Sequence, residues 1–554
     1  MSVLLKQKQR INSDRVVMQD WNRFHPVGSP TDSYYVNVCS KALKILLPLK
    51  DELTSNEQAI QLAGIFGAYF EDVISETRIF LSFTEQHKKL YGNHLPFYDT
   101  AEEYYPDEIN LYDLYFLAWH FLTITSGEEM IDPFFRDRRP LVTAVEKIYE
   151  LFDGEFEQAP QNENMQAFFR LSPSAGIEEI RLRLDFLLCK SYLNILTHDI
   201  FMNEFMENME DVLRETPEED FEETMESHNV YFYDTFVEEL FNRSSPVLAL
   251  RANEELACIL GESSPLYPLI SNISKRKFGG FIFREEKGEE YIFEHTHSGI
   301  RLPVTKEFTE ISDYKLTPGE IGFLMGLVKW GNIWAQMGIA VGKTSVDELY
   351  NYSEDTHLFD DPEEKQQSLN QMYSSFLTEN QGKPVVYLKG KQTFLDWIGR
   401  WLEADMRAAD KRMGAARIKK LKEQFLAGLS PDIMQEDECV SLFFNPQAGM
   451  EVYTFITLHI ADPDNPYYQP TGNYSLEELI RDESCSKEFI YYLIENKLIE
   501  FSLTGPSGIE TSLLEDNLDF LLRYFKKGAY WTEPHVQLTN TKSQTGQNQA
   551  GEPV

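Results

Sequence analysis

The sequence has little cysteine, little positive charge and no long apolar run. Its five cysteines, at positions 39, 189, 258, 439 and 485, lie far apart without paired spacing. This pattern excludes a zinc knuckle or a disulfide framework and favours a reducing compartment. No window approaches the roughly 18 apolar residues of a membrane span, and the first ten residues offer no apolar core for a signal peptide. These absences predict a cytoplasmic protein without a membrane partner.

Positive charge is scarce, because 51 lysines and arginines stand against 90 aspartates and glutamates, for a formal net charge of −39. Such a surface repels polyanions, so a nucleic-acid partner is disfavoured except at a local basic site. Apolar and aromatic residues are abundant, at 42% and 13% of the chain. They suffice for packed cores in about three or four domains. The oligomeric state is left open.

Hydrophobic periodicity predicts an α+β, mostly helical protein. Residues 1–262 have apolar positions three and four apart and predict an N-terminal helical domain. Within it, residues 57–91 predict one long helix, and residues 110–122, apolar nearly all round, predict a central buried helix. Residues 204–226 are strongly acidic. We interpret them as solvated helix surface plus a loop, with an anionic docking surface as the alternative.

Residues 277–342 give the clearest structural signal, about five short strands separated by turn residues. Closure would remove their exposed edges, so we expect a small central SH3-like or OB-like β-barrel. Gly331 and Asn332 are typical of a two-residue hairpin loop. Such a loop would pair Trp330 with Ile333 and place Trp330 and Trp334 on opposite sides of the ribbon.

Residues 383–536 predict a C-terminal α+β region that contains one long helix at 391–427. At about 100° per residue, four basic side chains lie opposite the apolar stripe of that helix. They form a candidate anion-binding surface: Arg400, Arg407, Lys411 and Lys422. Solvent or the acidic segment of the chain is the simpler partner for this surface. Residues 537–554 have almost no apolar side chains and predict a disordered tail.

No motif in the sequence names a reaction, so whether the protein is an enzyme is left open, and no cofactor or metal is expected. His295 and His297 on a strand would share one face about 7 Å apart, close enough to hold one metal. A third ligand is not visible in the sequence. Of Trp330 and Trp334, one would pack in the core. The other would pack against the neighbouring helical domain or, as the alternative, present an aromatic surface to a peptide or base.

Several distinctive short motifs occur in the helical region and downstream of it: Tyr69-Phe-Glu-Asp72, His87-Lys-Lys-Leu-Tyr91, Leu95-Pro-Phe-Tyr-Asp99, Glu108-Ile-Asn110, Phe116-Leu-Ala-Trp119, Phe293-Glu-His295, Ser298-Gly299, Trp330, Phe443-Phe-Asn-Pro446, Asp464-Asn-Pro466 and Asp519-Phe-Leu-Leu-Arg523. Together they resemble the motifs of an uncharacterised family of cytoplasmic proteins from Bacteroidetes-type bacteria. The resemblance implies one architecture over most of the chain. That family has no assigned activity, so the resemblance implies no catalytic or binding residues.

The function expected from the sequence is non-catalytic. A barrel signal without a catalytic motif favours a cytosolic protein- or peptide-binding or scaffold protein. One alternative is a hydrolase with an interdomain site near His295 and His297. The other is nucleic-acid binding through the basic helix at 391–427.

Overall fold

The computed structural model of the chain forms two compact units, Met1–Phe359 and Asp360–Val554. The residues that it describes are 15–49, 51–100, 104–127, 130–217, 221–309, 311, 314–343, 346–350, 358–359, 361–429, 434–470, 474–530 and 539–540. Helices predominate in both units, and each unit also contains a sheet. The mostly helical α+β class predicted from the sequence is confirmed.

Twelve helices precede the first strand among the described residues. They are α1 (Met18–Trp21), α2 (Asp32–Leu46), α3 (Asn56–Ser75), α4 (Ile79–Tyr91), α5 (Leu111–Ser126), α6 (Arg139–Glu155), α7 (Glu163–Phe169), α8 (Ile177–Cys189), α9 (Ile195–Glu215), α10 (Phe221–Asn242), α11 (Ala252–Leu260) and α12 (Tyr267–Ser271). The α5 helix is buried along most of its length, as its all-round apolar sequence predicts. The acidic segment at 204–226 contributes to α9 and α10.

The single helix predicted over residues 57–91 is wrong, because the chain breaks between α3 and α4. Glu76 and Arg78 adopt left-handed backbone conformations, with φ of 53° and 68°. Asp72 accepts hydrogen bonds from the amides of Ile79 at 3.0 Å and Phe80 at 2.8 Å. Its carboxylate therefore caps the start of α4, and this local competition with the helix ladder produces the break.

Five strands follow the helices and close into a barrel in the order β1-β2-β3-β5-β4. They are β1 (Lys277–Lys287), β2 (Glu290–His295), β3 (Arg301–Thr305), β4 (Gly322–Trp330) and β5 (Ile333–Lys343). The β3 and β5 strands pair in parallel, and the other neighbours pair antiparallel. Trp330 opposes Ile333 and Lys329 opposes Trp334, so the predicted hairpin register is confirmed.

A buried arginine joins the barrel to the helices of the same unit. Arg276 precedes β1, and its side chain is 1% exposed. Its guanidinium forms ion pairs with Asp234 and, at 2.6 Å, with Glu238, both on α10. A Cβ atom at Gly326 would overlap this guanidinium. The glycine therefore lets the β4 backbone approach the arginine closely.

The remaining elements begin with a short helix, α13 (Val346–Leu349), and continue through the second unit. In chain order they are α14 (Pro362–Glu379), β6 (Val385–Lys389), α15 (Lys391–Ala409), α16 (Ala415–Gly428), β7 (Cys439–Asn445), β8 (Gly449–Tyr453), α17 (Leu476–Arg481), α18 (Lys487–Glu495), α19 (Thr511–Asp516), α20 (Leu518–Phe525), α21 (Lys527–Tyr530) and β9 (Thr539–Asn540). The sheet order is β6-β7-β8-β9. Apart from Thr539–Asn540, the tail predicted to be disordered at 537–554 lies outside the described residues.

The long helix predicted at 391–427 is also wrong, because the chain turns between α15 and α16. Asp410 leaves the helical conformation at φ −138° and ψ 96°, and Gly414 is the N-cap residue before α16. The Asp410 carboxylate accepts a hydrogen bond of 2.9 Å from the Arg412 amide, as aspartates commonly do in turns. The four basic residues therefore do not share one continuous helix face.

In the part of the chain that the structure describes, no helix combines the length and apolar character that crossing a membrane requires.

Candidate ligand-binding cavity

A cavity of about 640 Å³ lies in the helical part of the first unit, bounded by α3, α4, the start of α5 and the segment after α6. This volume falls within the range of small-molecule sites. Side chains that line it are Tyr69, Asp72, Val73, Ile74, Glu76, Arg78, Phe80, Leu81, Pro106, Asp107, Asp113, Phe156, Glu157, Ala159 and Gln161.

The floor of the cavity holds a buried carboxyl group, Asp113, which is 2% exposed. Its Oδ2 accepts a hydrogen bond of 2.5 Å from the Tyr69 hydroxyl, and its Oδ1 accepts one of 3.0 Å from the Tyr104 hydroxyl. The Asn110 amide donates a third bond at 3.3 Å. Burial nevertheless dominates and raises the pKa of Asp113 to about 7. Its charge therefore changes near neutral pH.

A second buried carboxyl group, Asp72, lies one helical turn after Tyr69 on α3 and is 5% exposed. Besides the two α4 amides, it accepts hydrogen bonds of 2.6 Å from the Tyr192 hydroxyl and 2.5 Å from the Thr77 hydroxyl. Burial raises the pKa of Asp72, and these donors oppose the shift. Because its oxygens hold the α3–α4 turn together, Asp72 fixes the shape of the cavity wall.

The α3–α4 turn forms one wall of the cavity and contains its only lining guanidinium among the described residues. Arg78 donates to Glu85 at 2.8 Å and to the Ile259 carbonyl oxygen at 3.3 Å. Glu76 is exposed at the same turn. Left-handed conformations of non-glycine residues cost free energy and concentrate at functional sites. Glu76 and Arg78 both adopt this conformation in one cavity wall, so the turn is a candidate functional element.

Three exposed acidic groups are among the residues that line the cavity. Glu76, Asp107 and Glu157 are all solvent-exposed, whereas Asp72 and Asp113 are buried beneath them. Five carboxyl groups therefore line the cavity together with one guanidinium, which Glu85 already neutralises in part. Aromatic rings of Tyr69, Phe80 and Phe156 complete the lining. An acidic, aromatic cavity suits a ligand with positive charge.

The described residues contain no cluster of three or more histidine, cysteine, aspartate or glutamate side chains placed to hold a metal ion. In the cavity, phenol and amide donors already occupy the oxygens of Asp113. The arrangement can therefore bind a cationic group through long-range attraction and aromatic contact.

Comparison with known families places this cavity in a recognised segment. Residues 15–273 match the family described as "Protein of unknown function (DUF3843)". We call these residues the DUF3843 segment, because they are similar to that family. The match covers a little under half of the 554 residues and ends just before β1. No curated protein and no solved structure matches the chain.

Every residue that lines the cavity belongs to the DUF3843 segment. The motifs between residues 69 and 119 that suggested an uncharacterised family also lie within it. Those from Phe293 onward lie outside the match, so a resemblance over most of the chain stays a prediction. The bacterial source expected from the motifs stays a prediction too.

The two histidines predicted near a hydrolytic site lie at one end of the barrel, outside the DUF3843 segment. His295 is fully buried at the end of β2, and its Nδ1 lies 2.9 Å from the Ser298 hydroxyl. The Phe359 ring packs 4.9 Å from the His295 ring, centroid to centroid. His297 lies in the following turn, with its ring 5.9 Å from that of His295. His295 is therefore part of the aromatic end of the barrel.

Both hairpin tryptophans are half-buried. Trp334 packs against the barrel core, and its ring lies 5.8 Å from that of Phe359. Trp330 opposes Ile333 beside the turn. Neither side chain is among the exposed large apolar residues. The structure therefore gives neither tryptophan a broad open face for a peptide.

The predicted anion-binding residues have different surroundings. Arg400 pairs with Glu379 at 2.9 Å. Arg407 on α15 and Lys422 on α16 both pair with Glu403, at 2.8 Å and 3.5 Å. Lys411 is exposed in the turn between the two helices. Carboxylates of the same unit thus neutralise three of these four basic side chains. From the sequence, solvent or the acidic segment at 204–226 is the expected partner, whereas in the structure the partners lie on α14 and α15.

Sequence reasoning missed the cavity and its floor. Its lining residues are distant in sequence, and no motif or spacing predicted that Asp72, Glu76 and Asp113 would line one cavity. One signal was present, because Asp113 is the single acidic residue in the otherwise apolar stretch at 110–122. A carboxyl group on an all-round buried helix must have hydrogen-bond donors or an altered pKa.

Proposed function

We propose that the DUF3843 segment forms a non-catalytic binding domain for a small organic cation. One observation carries this proposal: five carboxyl groups line a cavity of about 640 Å³ that contains one guanidinium, and that guanidinium is paired with Glu85. A neutral or anionic ligand would leave this negative charge uncompensated. A cation would reduce the repulsion among the carboxylates and gain their attraction.

The aromatic part of the lining supports an organic cation over an inorganic one. Phe156 is partly exposed and offers ring surface to alkyl groups and to an ammonium group, whereas the rings of Tyr69 and Phe80 are buried in the cavity wall. Each such cation–π contact contributes about 0.5–2 kcal/mol, depending on how far it is desolvated. A small inorganic cation would need several free oxygen ligands, whereas tyrosine and asparagine donors occupy those of Asp113.

A binding role is better supported than a catalytic one. Among the described residues that line the cavity there is no serine, cysteine, histidine or lysine that could act as a nucleophile. The hydrolase alternative near His295 and His297 has weaker support, because His295 is enclosed by barrel side chains and Phe359. A peptide partner at Trp330 or Trp334 is likewise the weaker proposal, since both side chains are half-buried.

Thermal shift measurements on the full chain test the proposal. Small alkylammonium ions at about 100 times the dissociation constant should raise the free energy of unfolding by about 2.7 kcal/mol. Alkyl carboxylates of the same size should have no effect. Val73 lines the cavity, so Val73→Trp should abolish the shift, whereas Val142→Trp on α6 should retain it. Stabilisation by carboxylates, or equal shifts in both variants, would exclude this function.

We also propose that the barrel is OB-like. Its order β1-β2-β3-β5-β4, with a parallel β3–β5 contact, supports a Greek-key barrel over a simple meander. An experimental structure in which β3 paired with β4 would contradict this class.

A cytoplasmic location is a further proposal. The support for it is that all five cysteines are free thiols, as expected in a reducing compartment. Recovery of the protein from an oxidising compartment after cell fractionation would contradict it.

A further inference from the structure

A basic surface lies at the turn between α15 and α16. Residues 411–422 contain six basic side chains and no acidic one, although the whole chain carries 90 acidic residues. Five of the six are exposed, and we call this set the basic hairpin: Lys411, Arg412, Arg417, Lys419 and Lys420. The sixth, Lys422, is the one that pairs with Glu403.

Most of the basic hairpin lacks an internal counter-charge. Lys419 lies 3.8 Å from Glu423. The other four side chains, those of Lys411, Arg412, Arg417 and Lys420, form no ion pair with any described carboxylate. On α15, by contrast, Arg400 and Arg407 each have a glutamate partner. The unneutralised charge is thus confined to the turn and the first half of α16.

This arrangement does not stabilise the helix that carries it. The positive charges lie near the N-terminus of α16, where the helix dipole disfavours cations. The first turn has no acidic residue and no side-chain cap, since Gly414 occupies the N-cap position. Crowded, exposed cations at the unfavourable end of a helix cost stability, which indicates that they face an anionic partner.

The same helix argues against a membrane surface as that partner. Helices that lie on membranes bury an apolar face in the lipid interface. Most of the apolar face of α16 is already used, because Ile418 is buried and Leu426 packs against the core of the second unit. Residues 410–424 contain no aromatic side chain, and the one aromatic residue of α16, Phe425, is 38% exposed nearer the C-terminal end of the helix. A single exposed ring is too little to anchor the helix in lipid or to stack successive bases, so charge is the main feature of this surface.

We propose that the basic hairpin docks onto the phosphate backbone of a nucleic acid without reading its sequence. Backbone contacts need only cations at phosphate spacing, and their strength falls steeply with salt. The net charge of −39 opposes the approach of a polyanion. Binding should therefore appear at low ionic strength, where about five phosphate contacts to a duplex predict a salt slope near −4.5. This inference is independent of the cation-binding cavity.

Fluorescence anisotropy of the full chain with a labelled duplex of about 20 base pairs tests the inference, at salt concentrations from about 50 to 200 mM. Arg417→Glu with Lys420→Glu should weaken binding about 100-fold at the lowest salt. Lys147→Glu with Lys287→Glu, at exposed sites in the first unit, changes the total charge equally and should weaken it less than about threefold.

Circular dichroism should confirm that both double variants keep the helix content of the native chain, because the substituted side chains are exposed. The affinity should also be measured with two further duplexes of different base composition. Equal affinity for all three duplexes would support docking on the phosphate backbone. Absence of binding by the unmodified chain, equal losses in the two double variants, or tighter binding to phosphatidylserine vesicles than to the duplex would each overturn the proposal.

Discussion

The Tyr69 hydroxyl donates a hydrogen bond of 2.5 Å to Asp113 Oδ2, joining α3 to α5 beneath the cavity. Both residues are buried, and burial raises the pKa of both groups. The phenol therefore remains a neutral donor, while Asp113 changes charge near neutral pH. Stability and ligand binding should consequently share one titrating group.

Removing the Tyr69 hydroxyl should raise the pKa of Asp113. In Tyr69→Phe the ionised form of Asp113 loses its shortest hydrogen bond, so we expect a pKa above 7 and a free energy of unfolding lower by about 1.5–3 kcal/mol at pH 8. Denaturant unfolding at two pH values measures both effects. Tyr112→Phe on α5, the helix that carries Asp113, is the control, since the Tyr112 hydroxyl makes no hydrogen bond to a described residue. Equal losses in the two variants would contradict the role of the bond.

Asp113 should also make stability fall as pH rises. Its pKa is about 7 in the folded chain against an ordinary value of 3.8, so the folded state holds the proton more tightly. The stabilisation is complete below about pH 4 and is lost as pH rises through 7, with an amplitude on the order of 4 kcal/mol. Asp113→Asn should remove this part of the pH dependence.

Comparing Asp113→Asn with the native chain isolates the contribution of Asp113 to the pH dependence of stability. Burial also raises the pKa of Glu255 to about 8 and that of Glu451 to about 7, and both remain in the variant. Denaturant unfolding between pH 5 and 8 should thus give a smaller slope in the variant without abolishing it. Identical slopes would show that Asp113 titrates near its ordinary pKa.

The buried Arg276 should be a principal link between the helices and the barrel. Arg276→Met leaves Asp234 and Glu238, which are 16% and 41% exposed, without their guanidinium. Loss of these charge-assisted hydrogen bonds should cost about 1.5–3 kcal/mol. Chemical denaturation measures this loss. Arg301 pairs with Glu294 but is 61% exposed, so Arg301→Met should cost less than about 1 kcal/mol. A loss at Arg276 no larger than that at Arg301 would refute the assignment.

Glycine at position 76 should stabilise the chain. Glu76 follows α3 in the left-handed region, where glycine has no steric penalty, so Glu76→Gly should raise the free energy of unfolding by about 1 kcal/mol. Lys147→Gly, within α6, should instead lower it by about the same amount. Calorimetry distinguishes the two signs. Destabilisation by Glu76→Gly would mean that the glutamate side chain holds the turn.

The sequence predicted the fold where local pattern and tertiary packing agree. Gly331 and Asn332 predicted the hairpin and its register, and the apolar stretch at 110–122 predicted the buried α5 helix. Hydrophobic periodicity gave the wrong helix boundaries where a single polar side chain ends a helix. Asp72 caps α4 and breaks one apolar stripe into two helices, and Asp410 with Gly414 breaks the other. Periodicity continues across such breaks, so it does not reveal them.

The candidate site was harder to predict, because its members are distant in sequence. Asp72, Asp113 and Glu157 meet only after three helices pack together. Neither the volume of the cavity nor the pKa of Asp113 follows from spacing along the chain, since both depend on burial. The basic residues were visible in the sequence, but their pairing was not. The turn at Asp410 decides which of them meet Glu403 and which remain exposed.

The proposed function requires an organic cation to bind in the cavity that Asp113 lines. Its most direct test is titration calorimetry of the full chain with an alkylammonium ion at pH 6, 7 and 8. Ionisation of Asp113 with a pKa of about 7 predicts an affinity about tenfold higher at pH 8 than at pH 6. In Asp113→Asn the affinity should be lower and should vary less with pH, because Asp72 remains as the other buried carboxyl group of the cavity. Equal affinity and equal pH dependence in the two proteins, or no binding by either, would contradict the account.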